Sequence, residues 1–238
     1  MNRIKVYAYT MTWDTGFAPA VYRGKLSLAC CKTFLRYKIA KEMETSKEDI
    51  FVIGLCGSQM SRRNKREEAI TQEYFPVYIA KIDKRVMTTT YYSDKEYQSR
   101  PDAQYRYEND IWLVSNKNPH HPEQKAKEWV ELSSPECEKD LFYINRGKHE
   151  INYVLMSKKF LLPRSSESIP PIIKKIGEER KAAVRSDRKP LQCLLDEKNQ
   201  SDFLEFFYDH VDDPQYKNMK TIDKPFTKQF CSGESKCR

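Results

Sequence analysis

Only seven of the 238 residues are glycine, and none falls in the spacing of a phosphate-cradling P-loop or a Rossmann dinucleotide turn. Nucleotide hydrolysis of the P-loop kind is therefore not expected. Long apolar runs are also missing: no stretch approaches the ~20 residues of a membrane span, and the amino terminus lacks the apolar core of a signal peptide. A cytoplasmic protein with no membrane partner is expected. Histidine is scarce at four residues, and the seven cysteines form no metal-like repeat. An odd cysteine count in a cytoplasmic chain points to reduced thiols, and the adjacent Cys30 and Cys31 suit neither an easy disulfide nor a tetrahedral zinc site. No metal and no cofactor are expected.

What the chain has in quantity is charge and tyrosine. Charged residues make up 32% and apolar residues 39%, with a net charge of +8 and 15 tyrosines, so a well-solvated surface and a polyanionic partner, DNA or a nucleotide, fit the composition. The basic residues concentrate in Arg62, Arg63, Lys65 and Arg66, a set suited to phosphate, and again between Lys174 and Lys189. Each run taken alone is equally a solvated face.

Along the chain, Ile4 to Thr10 reads as a strand by its β-branched and aromatic content. A loop follows from Asp14 to Gly24, after which Leu26, Leu28, Ala29, Phe34, Leu35 and Ile39 fall at spacings of one helix face. Asp49–Gly57, Phe75–Ile82, Ile111–Val114 and Asn152–Ser157 read as further strands, the last of them closing the core. The polar stretch from Tyr91 to Tyr107 has neither helical nor strand period and is expected to be an insertion. From Pro170 onward the residues favour a basic amphipathic helix, then a capped helix from Ser201 and a loosely held end. The expected class is α+β: a mixed β pseudo-barrel over residues 1–168, with one early helix, and a helical basic extension over 169–238.

The segment Trp13-Asp14-Thr15-Gly16-Phe17-Ala18-Pro19, with Arg23-Gly24 and Cys30-Cys31-Lys32 behind it, is the expected site. Trp13 offers an aromatic face to a base, Asp14 either caps its own turn or accepts from an exocyclic amine, and Arg23 suits a phosphate or guanine edge or a surface ion pair. Cys30 and Cys31 at a helix start beside Lys32 are nucleophile candidates, although inert burial is the commoner state of such thiols. His120 and His121, in a turn, suit a polar contact better than a metal.

The blocks Asp14–Pro19, Gly24–Lys32 with Arg36, and Phe51–Gly54 resemble the bacterial and phage family called nucleotide modification associated domain, second group. Tyr91–Asp94, Asn109–Trp112, His120-His121 and Val154–Phe160 are similar to its downstream blocks, so that the resemblance runs from about residue 3 to residue 173. It implies association with DNA base modification systems and their proteins, in phage and host conflict. A weaker topological likeness to PUA-like and EVE-type domains implies a modified base held in a pocket beside the first helix. On this reading Trp13, Asp14, Arg23, Lys32, Arg36 and His120 bind the base or nucleotide, and Arg62, Arg63, Lys65 and Arg66 the phosphates. The alternative is an enzyme that modifies a base or nucleotide, with Asp14, Cys30 or Cys31 as the catalytic group.

Overall fold

A computed structural model describes residues 3–11, 19–30, 32–57, 74–116, 127–163, 169–183, 191–193 and 195–216. Its centre is a five-stranded mixed sheet. Strand β1 (Ile4–Met11) runs through β2 (Ala20–Tyr22), β3 (Lys25–Leu28) and helix α1 (Thr33–Thr45) to β4 (Asp49–Cys56), which pairs parallel to β1 in the register Ile4 to Asp49 through Met11 to Cys56. β4 is buried from Ile50 to Cys56, and a strand with both sets of alternate side chains buried must be covered on both faces, which is why it reads as a continuous apolar run.

Beyond β4, β5 (Pro76–Ile82) is antiparallel to it and leads through Asp83 into β6 (Lys84–Met87). The returning chain, β12 (Tyr153–Ser157) into β13 (Lys159–Leu161), pairs with β6 and β5 in turn, so both strand pairs cross from one sheet to the next at one bend. Asp83 fastens that bend: its N–H donates to Met156 O at 3.0 Å, and its carboxylate accepts from Lys158 N at 2.6 Å. The second sheet has the order β2, β3, β12, β6. β7 (Tyr105–Glu108), β8 (Ile111–Ser115) and β9 (Trp129–Glu131) form a third, and β10 (Phe142–Asn145) and β11 (Lys148–Ile151) a fourth. The α+β class holds, and among the described residues the strands close no barrel.

Several local expectations change. Residues 25–28 are strand rather than the start of a helix: Arg23 and Gly24, at φ 48° and 69°, make the two-residue turn with both central residues at positive φ that matches strand twist. α1 begins only at Thr33, leaving Phe34 41% exposed. Nor is the stretch from Tyr91 to Tyr107 an insertion. It holds helices α2 (Thr88–Ser93) and α3 (Lys95–Gln98), whose Tyr91, Tyr92 and Tyr97 join Tyr105, Trp112 and Val154 in a second core. Tyrosine packs its ring and still needs a polar partner for its hydroxyl, so a core rich in it reads as polar loop.

β12 is not the last strand. After it come β13, α4 (Pro171–Ala183), β14 (Leu191–Cys193) and α5 (Glu197–His210), and β14 pairs antiparallel with β1. Asp196 caps α5, accepting from Asn199 N at 2.8 Å. Ile172, Ile173 and Ile176 of α4 and Phe203 and Phe207 of α5 enter the same core as Phe51 of β4. Among the described residues no helix is long and apolar enough to cross a membrane. Cys137 is disulfide-bonded, against the expectation of seven reduced thiols, whereas Cys30, Cys56 and Cys193 are buried thiols. Burial pushes the Cys193 thiol up to about 12, which leaves it protonated and inert.

Candidate functional site

The parallel pairing of β1 and β4 puts two strand carboxyl ends side by side, the place in open sheets where ligands are received. Met11 pairs with Cys56, and Gly57 N donates to Met11 O at 2.9 Å. A Cβ on Gly57 would sit 2.5 Å from that same oxygen, so only glycine permits the approach. The segment carrying Trp13 and Asp14 follows Met11 directly, and the one carrying Arg62, Arg63, Lys65 and Arg66 follows Gly57. Those six residues, with Cys31, His120 and His121, lie outside the described residues.

Lys32 belongs to this edge. It precedes α1 in a left-handed conformation at φ 48°, and its ammonium donates to Thr10 O at 2.9 Å and lies 4.8 Å from the centre of the Tyr9 ring. The Tyr9 and Tyr78 hydroxyls meet at 2.7 Å beneath it, and complete burial holds the Tyr78 phenol well above its ordinary range and therefore neutral. α1 starts with no side-chain cap and no acidic residue in its first turn. A lysine there adds positive charge to the positive end of the helix dipole, an arrangement that favours an anion. Among the described residues six non-glycines have positive φ, and Arg23, Asn109, Asp110 and Arg146 occupy two-residue hairpin turns. The other two are Lys32 and Tyr74, whose N–H donates to Cys56 O at 2.7 Å. Among the described residues, backbone strain outside hairpins is thus confined to this edge.

The other predicted residues that are described lie in three further places. Arg23 is exposed at the hairpin tip, with its guanidinium 5.1 Å from the centre of the Tyr22 ring. It lies at the far end of β3 from Lys32, about 13 Å away by strand rise alone. Arg36 is fully buried in α1, where it donates to Tyr153 O at 2.6 Å and Asp140 O at 2.9 Å, and ties the helix to the chain at β12. Cys30 is packed in the second core with Tyr92, Leu141 and Val154.

Sequence reasoning missed the group that holds the hairpin. Arg100, buried, donates to Ala20 O at 3.2 Å, Tyr22 O at 3.4 Å, Lys25 O at 3.3 Å and Ser27 Oγ at 2.6 Å, and its Nε reaches Asp102 at 3.3 Å. Asp102 accepts from Ser27 at 2.5 Å and from Tyr91 at 3.0 Å. Complete burial pushes its carboxyl above the ordinary range, against the opposing pull of Arg100, Ser27 and Tyr91. The guanidinium thus fixes both strands flanking Arg23 and the residue from which the chain leads back toward Asp14. The only signal in the sequence was an Arg-Pro-Asp turn among tyrosines. Elsewhere, a groove of about 650 Å³ between α4 and α5 is lined by Glu178, Asp202, Glu205 and Asp209 against one lysine, Lys175, a charge balance that repels phosphate.

Fold and site together define an α+β protein in which two parallel strands end beside a helix that starts after Lys32 without a side-chain cap. The chain belongs to the family described as nucleotide modification associated domain 2, whose model matches residues 3–223. The match continues well past residue 173, taking in α4, β14 and α5. No curated protein and no solved structure gives a significant match.

Proposed function

We propose that this protein is a nucleic-acid or nucleotide-binding module working with DNA base modification, and that it receives a modified base at the carboxyl edge of β1 and β4. The observation carrying this reading is the pairing of Met11 with Cys56, because the aromatic-acidic segment and the basic run start from adjacent strand ends beside Lys32. Family membership supports the link to nucleotide modification. In this reading Trp13 stacks on the base, Asp14 accepts from its exocyclic amine, and Lys32 with the α1 amides takes an adjacent phosphate. Arg62, Arg63, Lys65 and Arg66 grip the flanking backbone. Arg23, which has no ion pair among the described residues, makes a second phosphate contact from the hairpin tip.

The test is mass spectrometry of nucleotides retained or changed when the purified protein is incubated with modified and unmodified DNA. An intact modified nucleotide retained from the modified DNA is the expected result; a changed mass would replace the reader by a base-modifying enzyme. Trp13→Ala is expected to weaken binding by about 1–3 kcal/mol, roughly 5- to 150-fold, the worth of one stacked base. Undiminished binding by the triple variant Trp13→Ala, Asp14→Ala, Lys32→Glu would remove the site from this edge.

A further inference from the structure

The groove between α4 and α5 has an apolar floor and an acidic rim. Pro170, Pro171, Ile172 and Phe206 form the floor, and Asp202, Glu205 and Asp209 stand exposed along α5, opposite Glu178 of α4. None of the four carboxylates has an ion-pair or hydrogen-bond partner among the described residues. Like charges left together on one groove repel each other, and the electrostatic cost falls when a cation covers them.

The chain supplies such a cation next door. Tyr216, the last described residue, lies edge-on to Phe206 with ring centres 6.4 Å apart, and its carbonyl accepts from Leu162 N at 2.8 Å. The 22 residues after it contain Lys217, Lys220, Lys224, Lys228, Lys236 and Arg238 against Asp223 and Glu234, with Ile222, Phe226 and Phe230 interleaved. From Asn199 to Asp209 the groove spans about 15 Å of helix, a length that about five extended residues cover. The segment therefore begins at the groove, has the opposite charge, and brings apolar side chains for an apolar floor.

We propose that the groove between α4 and α5 is the docking site of the protein's own carboxyl-terminal segment, residues 217–238, which lays its first four lysines against Glu178, Asp202, Glu205 and Asp209. Tethering at Tyr216 makes the contact intramolecular, with an effective concentration on the order of millimolar, so that modest exposed ion pairs suffice to keep the segment docked. Docking also withholds these lysines from a polyanion.

Zero-length carbodiimide cross-linking of the full chain tests this, because it joins only a lysine and a carboxylate already in contact. Equal amounts of isotope-labelled and unlabelled protein are mixed before coupling, and the linked peptides are read by mass spectrometry. The expected result is links from Lys217, Lys220, Lys224 or Lys228 to the groove carboxylates within single-isotope chains, lost at about 1 M salt, where the Debye length is only about 3 Å. Mixed-isotope links would make a second copy the occupant and overturn the proposal. Absence of links to the groove would overturn it as well. As a second readout, the exposed pair Glu205→Lys and Asp209→Lys is expected to speed tryptic cutting at Lys217 and Lys220 about tenfold, the behaviour of a segment released from a local docked state. An unchanged cutting rate in a folded variant would sink the idea.

Discussion

Arg100→Leu is expected to lower the unfolding free energy by about 3–5 kcal/mol, the cost of breaking a buried ion pair from one side. The loss has two parts. Ala20, Tyr22 and Lys25 each lose a carbonyl partner, and Asp102 keeps a buried carboxyl whose paired guanidinium is gone. Urea unfolding followed by circular dichroism gives the number, and a loss under about 1 kcal/mol would show that the network is incidental to stability. The same group predicts a pH dependence. Asp102 has a folded pKa above its ordinary value of 3.8, so the native state holds more protons than the unfolded state in the window between the two. Its contribution is therefore full below that ordinary value and is lost as pH rises through the folded one, the reverse of a salt-bridged surface carboxylate. Asp102→Asn should remove that slope, so that wild type loses stability relative to the variant as pH rises from acid toward neutral. A slope of opposite sign would mean that the field of Arg100 outweighs burial.

Phe207→Ala is the second large effect. Phe203 and Phe207 each meet Phe51 edge to face, with ring centres 5.0 Å apart, and Phe207 is completely buried. Removing such a ring from a packed core costs about 3–5 kcal/mol through lost transfer energy and the cavity left behind. Because Phe51 stands on the central strand, the loss is expected to move one unfolding transition of the whole protein rather than a separate transition of the residues after 169. Calorimetry showing two transitions, only one of them shifted, would separate those residues from the main core.

The parts of the fold legible in the sequence are those in which one effect dominates. β1, β4, β5 and β12 announce themselves through buried runs such as Ile50-Phe51-Val52-Ile53, because burial on both faces leaves no room for polar residues. The β2–β3 hairpin was hidden, since Leu26 and Leu28 fit a helical spacing with Leu35 as well as they fit alternation, and only the Arg23-Gly24 turn decides between them. The tyrosine core was hidden because two of its hydroxyls find partners internally, Asp102 for Tyr91 and Lys84 for Tyr97, which one-dimensional polarity does not convey. As for the site, Lys32 stood out beside the cysteine pair and a helix start. Tyr74, Tyr78 and Gly57 did not, for their role depends on β1 and β4 running parallel. That pairing is a long-range fact, set by the whole sheet and carried by no short motif.

The order in which the chain emerges during synthesis gives the pairing of β1 with β14 a further meaning. Val6, Tyr7 and Ala8 find their partners at Cys193, Gln192 and Leu191, far along the chain. Until those residues leave the ribosome, one side of the first strand stays open. At the usual ~5–20 residues per second, that interval lasts on the order of ten seconds or longer. An apolar strand with an open edge readily pairs with another chain. Nascent protein halted before residue 191 should therefore aggregate or hold a chaperone, while the finished chain, having covered the strand, should do neither.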